Sequence, residues 1–151
     1  MAGVSLTGRD TAIIDGRIFT DFADGDTCSL EFQNDIVTAT VGKNGAAIYA
    51  YNATGAVVNV TLRLLRGSAD DKYLNLRFSQ FKIDPPSFVL MTGSFVKRVG
   101  KGFGLVNSDI YQMSGGVILR PPVAKENQSG DTEQAVSIWS LQFTNNTRVI
   151  A

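Results

Sequence analysis

Residues able to do chemistry gather in a few places along this chain of 151 residues. The run Asp21-Phe22-Ala23-Asp24-Gly25-Asp26 offers three carboxylates to a cation. A calcium loop of the EF-hand type needs oxygen ligands at positions one, three and five and glycine at six. The run does not match that spacing, and Asp-Gly turn chemistry accounts for it better. Gly100-Lys101-Gly102-Phe103-Gly104 has the glycines of a phosphate loop. It lacks the Gly-Lys-Ser/Thr ending and a following helix, so a β connection fits it better. Glu126, Asp131 and Glu133 could supply a carboxylate pair for glycoside chemistry, but they sit in a polar stretch with no aromatic platform nearby. Cys28 is the one thiol, and Trp139 and Phe143 could stack on a ligand. Cys28 reads instead as a small buried hydrophobe, and the two aromatics, alternating with Leu141, read as core.

Composition narrows these options. The chain contains no histidine, so the commonest general base, the commonest metal ligand and every Ser-His or Cys-His pair are missing. A single cysteine allows no internal disulfide and suits a reducing compartment. Lys plus Arg balance Asp plus Glu, 14 against 14, which is not the balance of a default nucleic-acid binder. These counts predict a non-enzymatic protein without metal or cofactor. No run of 18 apolar residues occurs, and the first ten residues lack the charged head and long apolar core of a signal peptide. The sequence therefore predicts a protein that stays in the cytoplasm where it is made.

The elements that position these residues follow from periodicity. Alternation over 36–41 puts Val37, Ala39 and Val41 on one face and Thr38 and Thr40 on the other, the pattern of a half-buried strand. Gly42-Lys43-Asn44-Gly45 then turns the chain, and 46–51 resumes as a strand. Over 57–65, Val58, Val60, Leu62 and Leu64 form an apolar face opposite Asn59, Thr61 and Arg63. The period then changes. Ser68 is a good N-cap, Asp71 completes a capping-box pattern, and Asp70 and Asp71 suit the positive helix end. Leu74, Phe78 and Phe81 recur at helical spacing until Asp84-Pro85-Pro86 stops the run, which predicts one helix at about 69–82. Strand patterns return at 88–91, 94–99, 110–113, 117–119 and 135–143, with 121–132 as a polar loop. Earlier segments near 12–14, 17–19 and 28–32 also read as strands. The expected architecture is mainly β, a barrel or sandwich with one flanking α-helix, as a single domain over 1–151.

Charge is unevenly spread. Residues 1–40 carry seven acids and two bases, and residues 41–151 carry seven acids and twelve bases. Two readings stay open: opposite faces that meet head to tail between copies, or charges that cancel locally in the fold.

Several motifs in order resemble the tail tube proteins of contractile-tailed bacteriophages. They are Ile14-Asp15-Gly16-Arg17-Ile18-Phe19, Phe22-Ala23-Asp24-Gly25-Asp26, Leu30-Glu31-Phe32-Gln33-Asn34-Asp35, Gly42-Lys43-Asn44-Gly45, Leu62-Arg63-Leu64-Leu65-Arg66-Gly67-Ser68-Ala69-Asp70-Asp71 and Gly130-Asp131-Thr132-Glu133-Gln134-Ala135. The resemblance spans nearly the whole chain. It implies a structural virion protein of the β-barrel or sandwich type that forms hexameric rings. Stacked rings would make the inner tail tube through which phage DNA is delivered. Its implied partners are further copies of itself, the tail sheath protein, a tape-measure protein, baseplate and tail terminator proteins, and DNA that passes without sequence-specific binding. Its implied location is the virion tail, with assembly in the host cytoplasm, no membrane insertion and no cofactor. Two alternatives keep the same strand content: a baseplate tube-initiator or secretion-system ring protein of this fold, and a β-sandwich receptor- or carbohydrate-binding module. A lumen that lets DNA slide should be uncharged and polar, so Thr38, Thr40, Asn59 and Thr61 are the candidate lumen-facing residues. Asp21, Asp24 and Asp26 are the candidate ring-stacking residues, on a loop able to reach a neighbouring ring.

Overall fold

The computed structural model describes residues 5–6, 10–23, 28–100, 104, 106–124 and 135–150. One eight-stranded antiparallel sheet dominates. Its strands are β1 (Ser5–Leu6), β2 (Thr11–Ile14), β3 (Arg17–Phe19), β4 (Cys28–Phe32), β7 (Val58–Leu65), β8 (Met91–Gly100), β9 (Val106–Arg120) and β10 (Val136–Ile150). Their order is β3-β2-β8-β9-β10-β7-β4, with β1 paired to β8. The remaining strands, β5 (Val37–Val41) and β6 (Ala47–Tyr51), form a separate two-stranded hairpin. One helix, α1 (Ala69–Ile83), packs on the sheet. The mainly β architecture with a single flanking helix is the expected one.

The apolar alternation of β7 is realised residue by residue, with Val58, Val60, Leu62 and Leu64 all fully buried. Opposite them on β10, Ser137, Trp139, Leu141 and Phe143 are buried too. Ile14, Phe19, Met91, Met113, Ile118 and Leu74 close the same core.

Three expected breaks are absent. Of the segment expected at 88–91 only Met91 is strand, in one strand from Met91 to Gly100 that runs through 94–99, whereas 88–90 follow the turn Pro85–Ser87 without strand pairing. Segments 110–113 and 117–119 merge into the fifteen residues of β9, and β10 continues seven residues past Phe143. Glycine punctuates many chains, but here Gly93 and Gly116 lie inside strands because the Phe143 ring lies over them. A Cβ on Gly93 would sit 3.1 Å from Phe143 Cζ, and one on Gly116 would overlap the ring outright.

Gly115 does something different. Its φ is +68°, and the β8–β9 register shifts beside it. Gly116 and Met113 both face the core, although strict alternation would put residues three apart on opposite faces. The strand therefore exchanges its faces at this bulge. From there on, the outer face of the sheet carries Ser94, Gln112 and Thr147 side by side.

The helix starts at Ser68, whose Oγ accepts from the Asp71 N–H at 3.3 Å, as expected. The reciprocal half of the capping box shifts by one residue: Asp71 Oδ2 accepts from the Gly67 N–H at 2.9 Å instead of from Ser68. The helix runs one residue past Lys82 and ends at Asp84 before Pro85.

The half-buried expectation for 36–41 is overturned. All five residues of β5 and all five of β6 are exposed. The alternation is real, but among the described residues no layer covers the hairpin.

Candidate assembly surfaces

No group of three or more metal-ligating side chains occurs among the described residues. Gly104 lies within the glycine run, and its residues 101–103, together with Glu126, Asp131 and Glu133, fall outside the described residues. Cys28 packs against the core, and burial pushes its thiol up to about 12, with the Asp10 charge adding to the shift. It stays a neutral thiol at any ordinary pH. Trp139 and Phe143 are core, as expected.

Carboxylates fasten α1 to the sheet, since Leu74 is its one fully buried apolar side chain. The Asp15-Gly16 turn between β2 and β3 has both residues at positive φ, the geometry of a tight hairpin. It projects Asp15 toward the helix, where Oδ2 accepts from Tyr73 Oη and Arg77 Nε, both at 3.1 Å. Asp15 Oδ1 accepts from the Thr92 N–H at 3.0 Å. Asp71 accepts from Trp139 Nε1 at 2.8 Å and from Ser137 Oγ at 3.3 Å. Asp70, 2% exposed, accepts from Arg17 Nε at 2.9 Å and from the N–H groups of Thr20 and Asp21 at 2.9 and 3.0 Å. The helix dipole explains why acids are tolerated at this end, but these contacts to other elements explain their work.

Burial alone would push the Asp70 carboxyl up. The two N–H donors and the Arg17 guanidinium outweigh it and hold the group below its ordinary range. A folded-state pKa below the unfolded one means that ionised Asp70 stabilises at neutral pH. That contribution fades as pH falls below about 4. Thermal melts from pH 7 to pH 2 should therefore show an acid-side loss of stability. Asp70→Asn should be less stable than the parent at pH 7 and show a shallower acid-side loss. Parallel curves for the two proteins would remove Asp70 from the acid response.

The candidate stacking acids separate. Asp21 is half-buried at the start of α1, where its carboxylate lies 3.5 Å from the Asp70 N–H; Asp24 and Asp26 lie outside the described residues. Two other acids of the N-terminal region pair with bases of the middle region in the same chain. They are Asp15 with Arg77 at 3.1 Å and Asp10 with Lys97 at 3.9 Å. Local cancellation thus accounts for part of the charge asymmetry.

The candidate lumen residues fall into two places. Asn59 and Thr61 lie on β7, on the sheet face turned away from the core. Cross-strand pairing sets Ser29 and Ser140 beside Thr61, and Glu31 and Gln142 beside Asn59. These neighbours were missed in the sequence, although the buried phase of 137–143 already implied that Ser140 and Gln142 point the other way. The result is an outer face rich in hydroxyls and amides, interrupted by Ile138, Val117, Arg63 and Arg120, and continued beyond the Gly115 bulge by Ser94, Gln112 and Thr147. Thr38 and Thr40 are on the hairpin instead, joined to none of these strands.

The hairpin is an exposed apolar feature among the described residues. Register places Val37, Val41, Tyr49 and Tyr51 on one side of it, with Ile48 on the Thr38 and Thr40 side. Ile48, Tyr49 and Tyr51 are 73%, 72% and 75% exposed. Within 36–57 the only charged residue is Lys43. Its root is tight: the Asn52 N–H donates to Ile36 O at 2.7 Å, and Gly55 packs directly on Ile36. Leu76, Ile83, Val89 and Leu90, on α1 and the segment that follows it, are further exposed apolar residues. No helix is long and apolar enough to cross a membrane among the described residues.

No family model matches the sequence, and no curated protein does. A solved structure does match in three dimensions. It is a chain of an extracellular contractile injection system, the PVC sheath–tube complex in its extended state, determined by cryo-EM. The likeness covers 95% of this chain and 88% of that one, with a TM-score of 0.54 and 10% sequence identity. It agrees with the contractile-tail resemblance of the motifs, and at this identity it is a likeness of fold: the chain has the tube-type β fold found in a contractile sheath–tube assembly.

Proposed function

We propose that this protein is the tube-forming subunit of a contractile tail. Copies associate side by side into hexameric rings, and rings stack head to tail into a hollow tube inside a sheath. The observation that carries this reading is the hairpin, an uncharged and apolar projection, apart from Lys43, that the described residues leave uncovered. Exposed apolar surface of this kind marks a contact with another molecule. The tube-type fold supplies the kind of assembly that would cover it.

In that assembly the uncharged polar face around Asn59 and Thr61 lines the lumen. DNA sliding past hydroxyls and amides meets no cluster of Lys or Arg to hold its phosphates. Glu31, Arg63 and Arg120, the last opposite Ser140, add charge to this face, one negative and two positive. The helix packs on the opposite, core side of the sheet, so α1 lies on the outside of the tube. Leu76, Ile83, Val89 and Leu90 then face the sheath. A tape-measure protein occupies the lumen during assembly in the host cytoplasm, and baseplate and terminator proteins close the two ends. Asp21, Asp24 and Asp26 serve at the ring-to-ring contact, and the subunit has no catalytic role. A second reading, rings of an injection system that carries cargo other than phage DNA, is favoured by the nature of the matched assembly.

Electron microscopy and sedimentation of the purified protein test the proposal together. Sixfold rings or tubes are expected at high concentration, with Thr61 on the inner wall. A monomer at every salt and protein concentration would overturn the tube reading. Rings with Thr61 turned outward would overturn the wall assignment alone.

A further inference from the structure

The exposed hairpin and one stretch of sheet edge complement each other. Strand β10 is flanked on one side by β9 as far as Ile150, but on the other side β7 reaches only Phe143. On the side away from β9, residues 145–150 therefore present backbone groups that no described strand pairs, although the turn Ala53–Ala56 that leads into β7 approaches β10. Such an edge is a template for another strand. The hairpin has free outer edges of its own, and a two-stranded ribbon is marginally stable alone in water. Its strands are five residues long, against six in the open stretch.

We propose that β5 of one copy pairs along residues 145–150 of β10 in a second copy; this rests on the self-assembly reading above and says which surfaces meet. The face chemistry sets the choice of strand. With β5 alongside, Thr38 and Thr40 continue the polar face that Asn145 and Thr147 share with Gln112 and Ser94. The apolar side of the hairpin then falls on the side of Asn146, Arg148 and Ile150, where Met113 and Tyr111 are the cross-strand neighbours. On that side Asn146 Oδ1 is buried and accepts no hydrogen bond from a described residue. A buried acceptor of this kind calls for a donor. Tyr49 and Tyr51, on the side of the hairpin that would arrive there, each carry one.

Charge raises no obstacle. Arg148 is already held by Asp109 through two hydrogen bonds of 2.8 Å, which keep the Asp109 carboxyl below its ordinary range. The hairpin strands bring no charge at all. Docking in this form buries no unpaired ion. Because donor and acceptor are different surfaces, the contact is head to tail and propagates as a closed ring or an open helix.

Cysteine pairs split between two proteins test the contact. Thr40→Cys in one preparation is mixed with Asn145→Cys, Thr147→Cys or Val149→Cys in another, assembled, and oxidised. All four positions are exposed, so folding should be unaffected, and near-ultraviolet circular dichroism checks this. Paired strands bring Cα atoms to within the span of a disulfide. A covalent dimer at one of the three registers, absent when Thr40→Cys is assembled alone, is the expected result. Rings that form without any cross-link overturn the pairing and leave the tube reading standing. Failure of the parent and all variants to assemble overturns both. A reconstruction of the parent assembly with residues 145–150 unpaired also overturns the pairing.

Discussion

Trp139→Ala is expected to cost about 3–5 kcal/mol, the range for truncating a large buried aromatic, and to leave little folded protein at 37 °C. Trp139 is 1% exposed, lies between Leu62 and the helix, and meets the Phe78 ring edge-on at 6.4 Å. Removing it opens a cavity and also takes away the indole donor to Asp71. Trp139→Phe separates the two effects. It keeps most of the apolar volume and leaves the carboxylate short of one donor, at a cost of about 1–3 kcal/mol. Chemical denaturation of the three proteins measures both differences. Equal stabilities for the phenylalanine variant and the parent would show that Asp71 does not depend on the indole.

Gly55→Ala should uncouple the hairpin from the sheet and so suppress assembly while the main core still folds. A Cβ there would lie 2.5 Å from Ile36 Cα and 2.7 Å from its nitrogen, and a backbone cannot swing aside as a side-chain tip can. Overpacking of this sort costs about 1–3 kcal/mol. That is a few degrees of melting temperature per kcal/mol for a chain of this size. The hairpin should move, because its root is the point of contact and none of its ten strand residues is buried. Circular dichroism should report a folded protein, while sedimentation should report far fewer rings than the parent forms. Normal rings from a folded Gly55→Ala protein would show that the direction in which the hairpin leaves the sheet is unimportant.

Much of the fold was legible because local rules and tertiary packing agree. The phases of β7 and of the first half of β10 followed from alternation alone, and Ser68 with Pro85 bounded the helix to within a residue. The misreadings share a cause. Gly93, Gly115 and Gly116 look like stops in a one-dimensional pattern, but the Phe143 ring that needs two of them is distant in sequence. The acids Asp70 and Asp71 fit a local rule for helix ends, which hid their bonds to β3, β10 and the loop at Thr20. The hairpin shows the limit most clearly. Val37, Ala39 and Val41 alternate with threonine as a half-buried strand does, and nothing local tells whether the covering layer comes from the same chain. The wall candidates split for the same reason: Asn59 and Thr61 gained neighbours through pairing, whereas Thr38 and Thr40 have theirs only between copies if the proposed contact forms.

The bulge at Gly115 gives β9 an inverted parity. Up to Ser114, odd-numbered positions look inward, and from Gly116 onward even-numbered ones do. Which substitutions the strand tolerates should invert at the same point. A polar residue is admissible at 112 but not at 118, although both numbers are even. A deletion of Gly115 itself should keep every facing, because Met113 then lies two residues from Gly116 and uniform alternation turns both inward. A deletion at 112 that keeps the bulge would instead turn Ile110 inward and Tyr111 with Asp109 outward, so the segment before the bulge would present the wrong set of side chains to both walls at once. Libraries that vary this strand therefore need two opposite alphabets joined at one glycine.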